Sequence, residues 1–222
     1  MKLLVAVSSC QSFEENGCNK TIRECWLNEC AANGLDYKFF HGIGGEPSDD
    51  VVLVNCPDDY GHLSYKTREN RRWALEHGYD FVFQCFPDTY CRPERLVSCG
   101  FQEHDYYGDF RGEHASPDNY PSGGPGYWTS RRVNQLISNA PITGVWRDDI
   151  TPYAEDLWVG KILAQHAGKG LKYFDNPNFI NRGTRGDGPL KSNTIISTHL
   201  SCPDRYYPER MWEKHSQWLR SL

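Results

Sequence analysis

Asp88 stands alone just past an apolar run. Tyr79 to Leu96 reads Tyr-Asp-Phe-Val-Phe-Gln-Cys-Phe-Pro-Asp-Thr-Tyr-Cys-Arg-Pro-Glu-Arg-Leu. Within it, Asp80 to Gln84 has the aromatic and β-branched make-up of a short buried strand. Cys85 and Phe86 prolong the run and Pro87 stops it. A carboxylate just beyond a strand's carboxyl end is where ligands collect in open α/β sheets. The plainer reading of Pro-Asp-Thr is a turn. Glu155 and Asp156 form a second acidic feature, side by side at the start of a helical pattern. Acids there are favoured by the helix dipole by about 0.3–1 kcal/mol. One of the two could equally serve as a general base. Nine cysteines occur without a single Cys-x-x-Cys pair. The absence of close Cys or His ligand pairs argues against a zinc ribbon and against a zinc or cysteine hydrolase.

The elements that must position these residues follow an α/β order. Leu3–Val7 reads as a strand and Ser8–Cys18 as a polar loop. A helix from about Lys20 to Ala32, capped by Asn19 and closed by Asn33-Gly34, comes next. Strands are expected over Tyr37–His41 and Val51–Val54, separated by a polar loop over Gly42–Asp50. A helix from about Leu63 to His77 then leads into the Asp80 strand. His104–Phe110 reads as a strand crossing the mouth of the sheet, and residues 112–121 as loop. Ser130 caps a helix over Arg131–Asn139. The loop 141–153 carries Asp148 and Asp149, read as loop acids near an acceptor or a displaced metal site. A helix over 154–167, a short strand at Leu171–Phe174, a Gly/Asn/Pro-rich loop over 176–192, a strand over 194–198 and a final helix over 207–222 complete the chain. This order predicts one sheet with helical crossovers.

Composition narrows the partners. Twenty-four Lys and Arg against 29 Asp and Glu leave a net charge of -5 over 222 residues. That balance disfavours nucleic acid, which needs a basic footprint. It suits a neutral or cationic partner, or an anionic ligand bound through a metal. No stretch approaches the roughly 20 apolar residues of a membrane span. The apolar run Leu3–Val7 is shorter than the about 7–15 residues of a signal-peptide core, so a first strand explains it better. The cysteines are accordingly expected as reduced thiols in a cytoplasmic protein, with room for a disulfide among Cys10 to Cys30.

Several segments, in order, resemble the beta-1,3-galactosyltransferase and fringe group. Tyr60-Gly-His-Leu-Ser-Tyr-Lys-Thr67, Trp73-Ala-Leu-Glu-His77 and Phe81-Val-Phe-Gln-Cys-Phe-Pro-Asp88 are similar to one block of that group. Arg23-Glu-Cys-Trp26 is similar to its first helix. Ser122-Gly-Gly-Pro-Gly-Tyr127 is similar to its glycine-rich acceptor segment, Glu155-Asp-Leu-Trp-Val-Gly160 to its Glu-Asp motif, and Thr198-His199 to its C-terminal metal-binding histidine. The chain departs from the group where an acidic triplet becomes Phe86-Pro87-Asp88 and a helix-start Asn becomes His62. No stretch in these residues is expected to match the group's membrane anchor.

The resemblance implies a single-domain α/β protein of the glycosyltransferase A (Rossmann-like) fold, with a mainly parallel central sheet flanked by helices. Residues 1–100 would form the nucleotide-sugar-binding half and 101–222 the acceptor-side half. It implies a nucleotide-sugar donor, of the UDP type, and a glycan or other hydroxyl acceptor. A divalent metal, usually manganese, would be held by Asp88 and His199. Asp156 is expected as the base, with Glu155 the adjacent alternative. Ser8, Ser9 and Arg23 are expected at the nucleotide and Lys66 at the diphosphate. Gly123, Gly124 and Gly126 would floor the acceptor side, with Tyr127 and Trp128 either stacking on sugar faces or buried in the core. Two functions follow: an inverting, metal-assisted glycosyltransferase, or a silent module on the same fold that binds a sugar or nucleotide sugar without turnover.

Overall fold

A computed structural model describes residues 1–110, 122–142, 154–166, 168–181, 195–200 and 207–219. The expected positions of Asp148, Asp149, Cys202 and the loop 112–121 lie outside these residues. Ten strands are described: β1 Leu3–Ser8, β2 Leu35–Ile43, β3 Val51–Pro57, β4 Phe81–Cys85, β5 Thr89–Cys91, β6 Tyr106–Gly108, β7 Tyr127–Ser130, β8 Tyr173–Asp175, β9 Phe179–Asn181 and β10 Ser197–His199. The described helices are α1 Gln11–Glu15, α2 Cys18–Cys25, α3 Leu63–Glu76, α4 Pro93–Ser98, α5 Arg131–Asn139, α6 Glu155–Gln165 and α7 Tyr207–Leu219.

The seven-stranded sheet runs β3-β2-β1-β4-β7-β6-β8. The run β3-β2-β1-β4 is parallel, β7 is antiparallel to both its neighbours, and β6 and β8 are parallel. A small sheet, β5-β10-β9, stands beside it. The chain steps outward from β1 to β3 and then returns to the other side of β1 as β4. That reversal makes the β1/β4 carboxyl ends a topological switch point, the position where open α/β sheets leave a crevice.

Burial on both faces explains why β1 and β4 are near-continuous apolar runs. Leu3, Val5 and Val7 face a core shared with Ile22, Cys25 and Trp26 of the α2 region and Met211 of α7. Leu4 and Ala6 face the opposite core, with Phe40, Val82 and Ala74 of α3. A third apolar cluster joins Tyr106, Tyr127, Val133 and Ile137 to Trp158 and Leu163 of α6.

Several boundaries differ from the sequence reading. The first loop contains the short helix α1. Gly17, at φ +84°, precedes α2, so Asn19 is not its cap. Asn19 is instead fully buried, bonded to Ser9, Glu14 and His41. The helix also ends at Cys25 rather than Ala32, and continues as two 3-10 turns. Trp26 leaves the helical region at φ −145° and donates its indole N–H to the Thr89 carbonyl at 3.1 Å. Burying that ring outweighs a further helical turn. β6 does not cross the mouth of the sheet; it lies within it, with Tyr106 and Tyr107 both buried. The Gly/Asn/Pro-rich stretch after Asp175 includes β9, and β5 and α4 follow Asp88.

Candidate active-site cleft

The polypeptide turns just past β4 because the Phe86 N–H donates to Thr89 Oγ1 at 3.1 Å, while Thr89 Oγ1 donates to the Gly124 carbonyl at 2.9 Å. This turn fixes Asp88 at the switch point. β10 pairs antiparallel with β5, with His199 opposite Thr89, and the Leu200 N–H donates to the Asp88 carbonyl at 2.8 Å. Residues 111 positions apart in sequence are thereby brought together: Asp88 Oδ2 lies 2.9 Å from His199 Nε2. Both side chains are about four-fifths buried. Gly124 allows this approach, since a Cβ there would overlap the His199 ring, with Cγ only 2.5 Å away.

Both residues line a cleft of about 640 Å³. Glu155 and Asp156, at the first turn of α6, line it too. The Gly123 N–H donates to Asp156 Oδ2 at 3.2 Å, which ties the glycine segment to the helix start. Glu155 behaves differently from its neighbour. It is 3% exposed, and Tyr127 donates its hydroxyl proton to Glu155 Oε1. Thr67 and the fully buried Arg71 stand close enough to act on it electrostatically. Burial first, and the charge of Asp156 second, push the Glu155 carboxyl up to about 7. Its Oε2 has no hydrogen-bond partner among the described residues and lies 3.3 Å from the place of a Gly123 Cβ.

A polar network lies behind the cleft floor. Arg71 Nη1 donates to Asn70 Oδ1 and to Gln84 Oε1, at 2.8 and 3.1 Å. Gln84 Nε2 and Asn70 Nδ2 donate to the Ser8 hydroxyl, at 2.9 and 3.3 Å. The Ser9 hydroxyl donates to Asn19 Oδ1 at 2.6 Å. Ser8 and Ser9 therefore line the cleft while their hydroxyls are engaged inward. Lys66 is 1% exposed and donates to the Ser9 carbonyl and to Asp58 Oδ1. Burial raises the Asp58 carboxyl, but Lys66 and the N–H groups of Gln11 and Gly42 hold it below the usual carboxylate range.

Three sequence expectations are placed away from the cleft. Arg23 grips Glu14 and Asp50, with its Nε 2.7 Å from Asp50 Oδ2 and its guanidinium over Phe39. Tyr127 and Trp128 are core residues, 0% and 1% exposed, because β7 is covered on both faces. Trp128 stacks on Phe101 at 4.0 Å. Gly126, at φ +78°, is not among the residues that line this cleft; it lets the backbone pass against Phe83, where a Cβ would overlap the ring and lie 2.7 Å from the Gln84 carbonyl. The aromatics at the cleft are Phe13, Tyr60 and Phe86, none of them expected as site residues. Tyr60 was legible as the first residue of a matched segment next to two acids. Arg71 carried no signal, since a helix arginine reads as solvated.

Among the described residues, Asp58, Asp59, Asp88, Glu155 and Asp156 give the cleft five carboxylates against one lysine. A diphosphate entering it would need an accompanying cation. The Asp88–His199 pair fits one. Donors roughly 2.1 Å from an ion and at right angles to each other lie about 3.0 Å apart, and a hard divalent ion takes few protein ligands when phosphates and water complete its shell. Among the described residues no third acid, His or Cys joins the pair.

Against known proteins, no protein-family model and no curated protein matches the sequence. The fold does match. The solved structure of a glycosyltransferase involved in the glycosylation of the major capsid of PBCV-1 superposes on 98% of this chain and 100% of its own, with a TM-score of 0.57. Sequence identity is 11%. The likeness defines the class of fold: a mixed α/β, Rossmann-like glycosyltransferase fold.

Proposed function

We propose that the protein is an inverting glycosyltransferase that moves a sugar from a nucleotide-sugar donor, of the UDP type, to a hydroxyl of a glycan or similar acceptor. One observation carries the reading: the Asp88–His199 pair and the Glu155–Asp156 pair line one cleft at the β1/β4 switch point. The glycosyltransferase fold agrees with it.

In this reading the donor's diphosphate lies toward Asp88 and His199. These two residues would hold a divalent ion, manganese for preference, which would neutralise charge on the leaving diphosphate. Asp156 takes the proton of the acceptor hydroxyl as its oxygen bonds to the anomeric carbon. The bond from that carbon to the diphosphate oxygen breaks, and the electron pair leaves with the nucleoside diphosphate. Attack from the face opposite the leaving group inverts the configuration. Glu155 is too enclosed to meet an acceptor freely, and it anchors the segment that carries Asp156.

The test is transfer across a panel of nucleotide sugars, with the product anomer read by NMR. Asp156→Asn keeps the shape and removes the basicity. Turnover should fall by about 10²–10⁴ while donor affinity stays nearly constant. Wild-type turnover in that variant would remove Asp156 as the base. A sparse set of metal donors favours a second reading, a silent nucleotide-sugar or glycan-binding module. Donor binding without transfer to any acceptor would select it.

A further inference from the structure

We infer that Tyr60 is the platform on which the cleft holds a neutral pyranose ring of the acceptor. The inference rests on the transferase reading and adds the residue that recognises its second substrate. Tyr60 opens the 3-10 turn ahead of α3 and lines the cleft. It is 75% exposed, whereas most aromatics among the described residues are buried. Among the described residues its side chain has no ring contact and no hydrogen bond, and only its backbone carbonyl is engaged, by the Leu63 N–H.

Its surroundings point to the kind of ligand. Tyr60 shares the cleft lining with Asp88, Glu155 and Asp156, and partial desolvation, then the charges of Asp156, Asp88 and Glu155, push its hydroxyl's ionisation upward. Phe86 supplies apolar surface at the same end; its ring lies 3.4 Å from the place of a Gly123 Cβ. A pyranose has a flat C–H face and a rim of hydroxyls. Aromatic rings match the face, and ionised carboxylates accept hydrogen bonds from the rim. The acidic surplus disfavours an anionic sugar or a phosphorylated acceptor at this end. A nucleobase would also stack on a tyrosine, so the test separates base from sugar.

Methyl glucoside, galactoside and mannoside are titrated by protein-observed NMR into wild type, Tyr60→Ala, Tyr60→Phe and Tyr60→Trp. UDP and GDP, each with manganese, are titrated in parallel by calorimetry. At least one pyranoside should bind wild type. Tyr60→Ala should weaken it about tenfold, while Phe and Trp stay within about threefold, as expected for stacking worth about 1.4 kcal/mol. Nucleoside diphosphate affinity should change less than about twofold, because the platform serves the sugar alone. Unchanged sugar binding in Tyr60→Ala would overturn the proposal. So would an equal loss of UDP or GDP binding, which would make the ring a base platform. A wild type that binds UDP or GDP but no pyranoside also overturns it and leaves the transferase reading standing. Only a wild type that binds neither class counts against both.

Discussion

Two neighbouring carboxyls at the start of α6 live in different surroundings. Asp156 lines the cleft and takes an N–H from Gly123. Glu155 turns back toward Tyr127 and Arg71, and burial holds its proton up to about 7. A stability prediction follows. Between about pH 4.5 and 7 the folded protein keeps the Glu155 proton and the unfolded chain has lost it. Stability is therefore full below the unfolded value and falls as pH rises toward 7, by about 3 kcal/mol, after which it levels off. Glu155→Gln should flatten that decline, as read by denaturant unfolding across this range. An identical decline in the variant would assign it to another group. The acids themselves were legible, because a carboxylate after a strand and an acid pair at a helix start are local patterns. The raised Glu155 was not, because it depends on burial in the folded chain, which outweighs the lowering by Tyr127 of β7 and by Arg71 and Thr67 of α3.

At the scale of elements, local signals placed most of the sheet and both helix starts near the site. Ser130 caps α5 as its sequence suggests, accepting the Val133 N–H. The early end of α2 was hidden, since it depends on Trp26 reaching the Thr89 carbonyl across 63 residues. The extent of α3 was legible but its buried face was not, since that face includes Ser64, Lys66, Thr67, Asn70 and Arg71 as well as Ala74. Polar residues at core spacing read as solvent-facing. The glycines before β7 were plain in the sequence, but the residues they pass against were not. Gly126→Ala would force a side chain into a positive φ and against Phe83 and the Gln84 carbonyl. The strain from such a conformation is of order 1–3 kcal/mol before the overlap is counted. A loss of at least that size in chemical denaturation is expected, and wild-type stability would contradict the placement of this turn.

Across the whole molecule, the order of strands makes the site. The chain connections run to opposite sides from the neighbouring strands β1 and β4, and the small sheet β5-β10-β9 brings His199 to the opening. Local patterns could predict a mainly parallel sheet but not its β7-β6-β8 extension, whose pairing joins segments far apart in sequence. The acidic cleft and the Asp88–His199 pair together make a specific demand: a diphosphate and a divalent cation should bind there together, each helping the other. Ligands that bind only the folded form raise the unfolding midpoint with occupancy. The direct measurement is therefore the midpoint of wild type and Asp88→Ala with UDP alone, manganese alone and both. Asp88 is only partly buried, and its side chain meets His199 rather than the apolar core, so the variant is expected to fold. The account predicts a rise for wild type with UDP and manganese together that exceeds the sum of the separate rises, and no such excess for Asp88→Ala. An equal excess in the folded variant would contradict it.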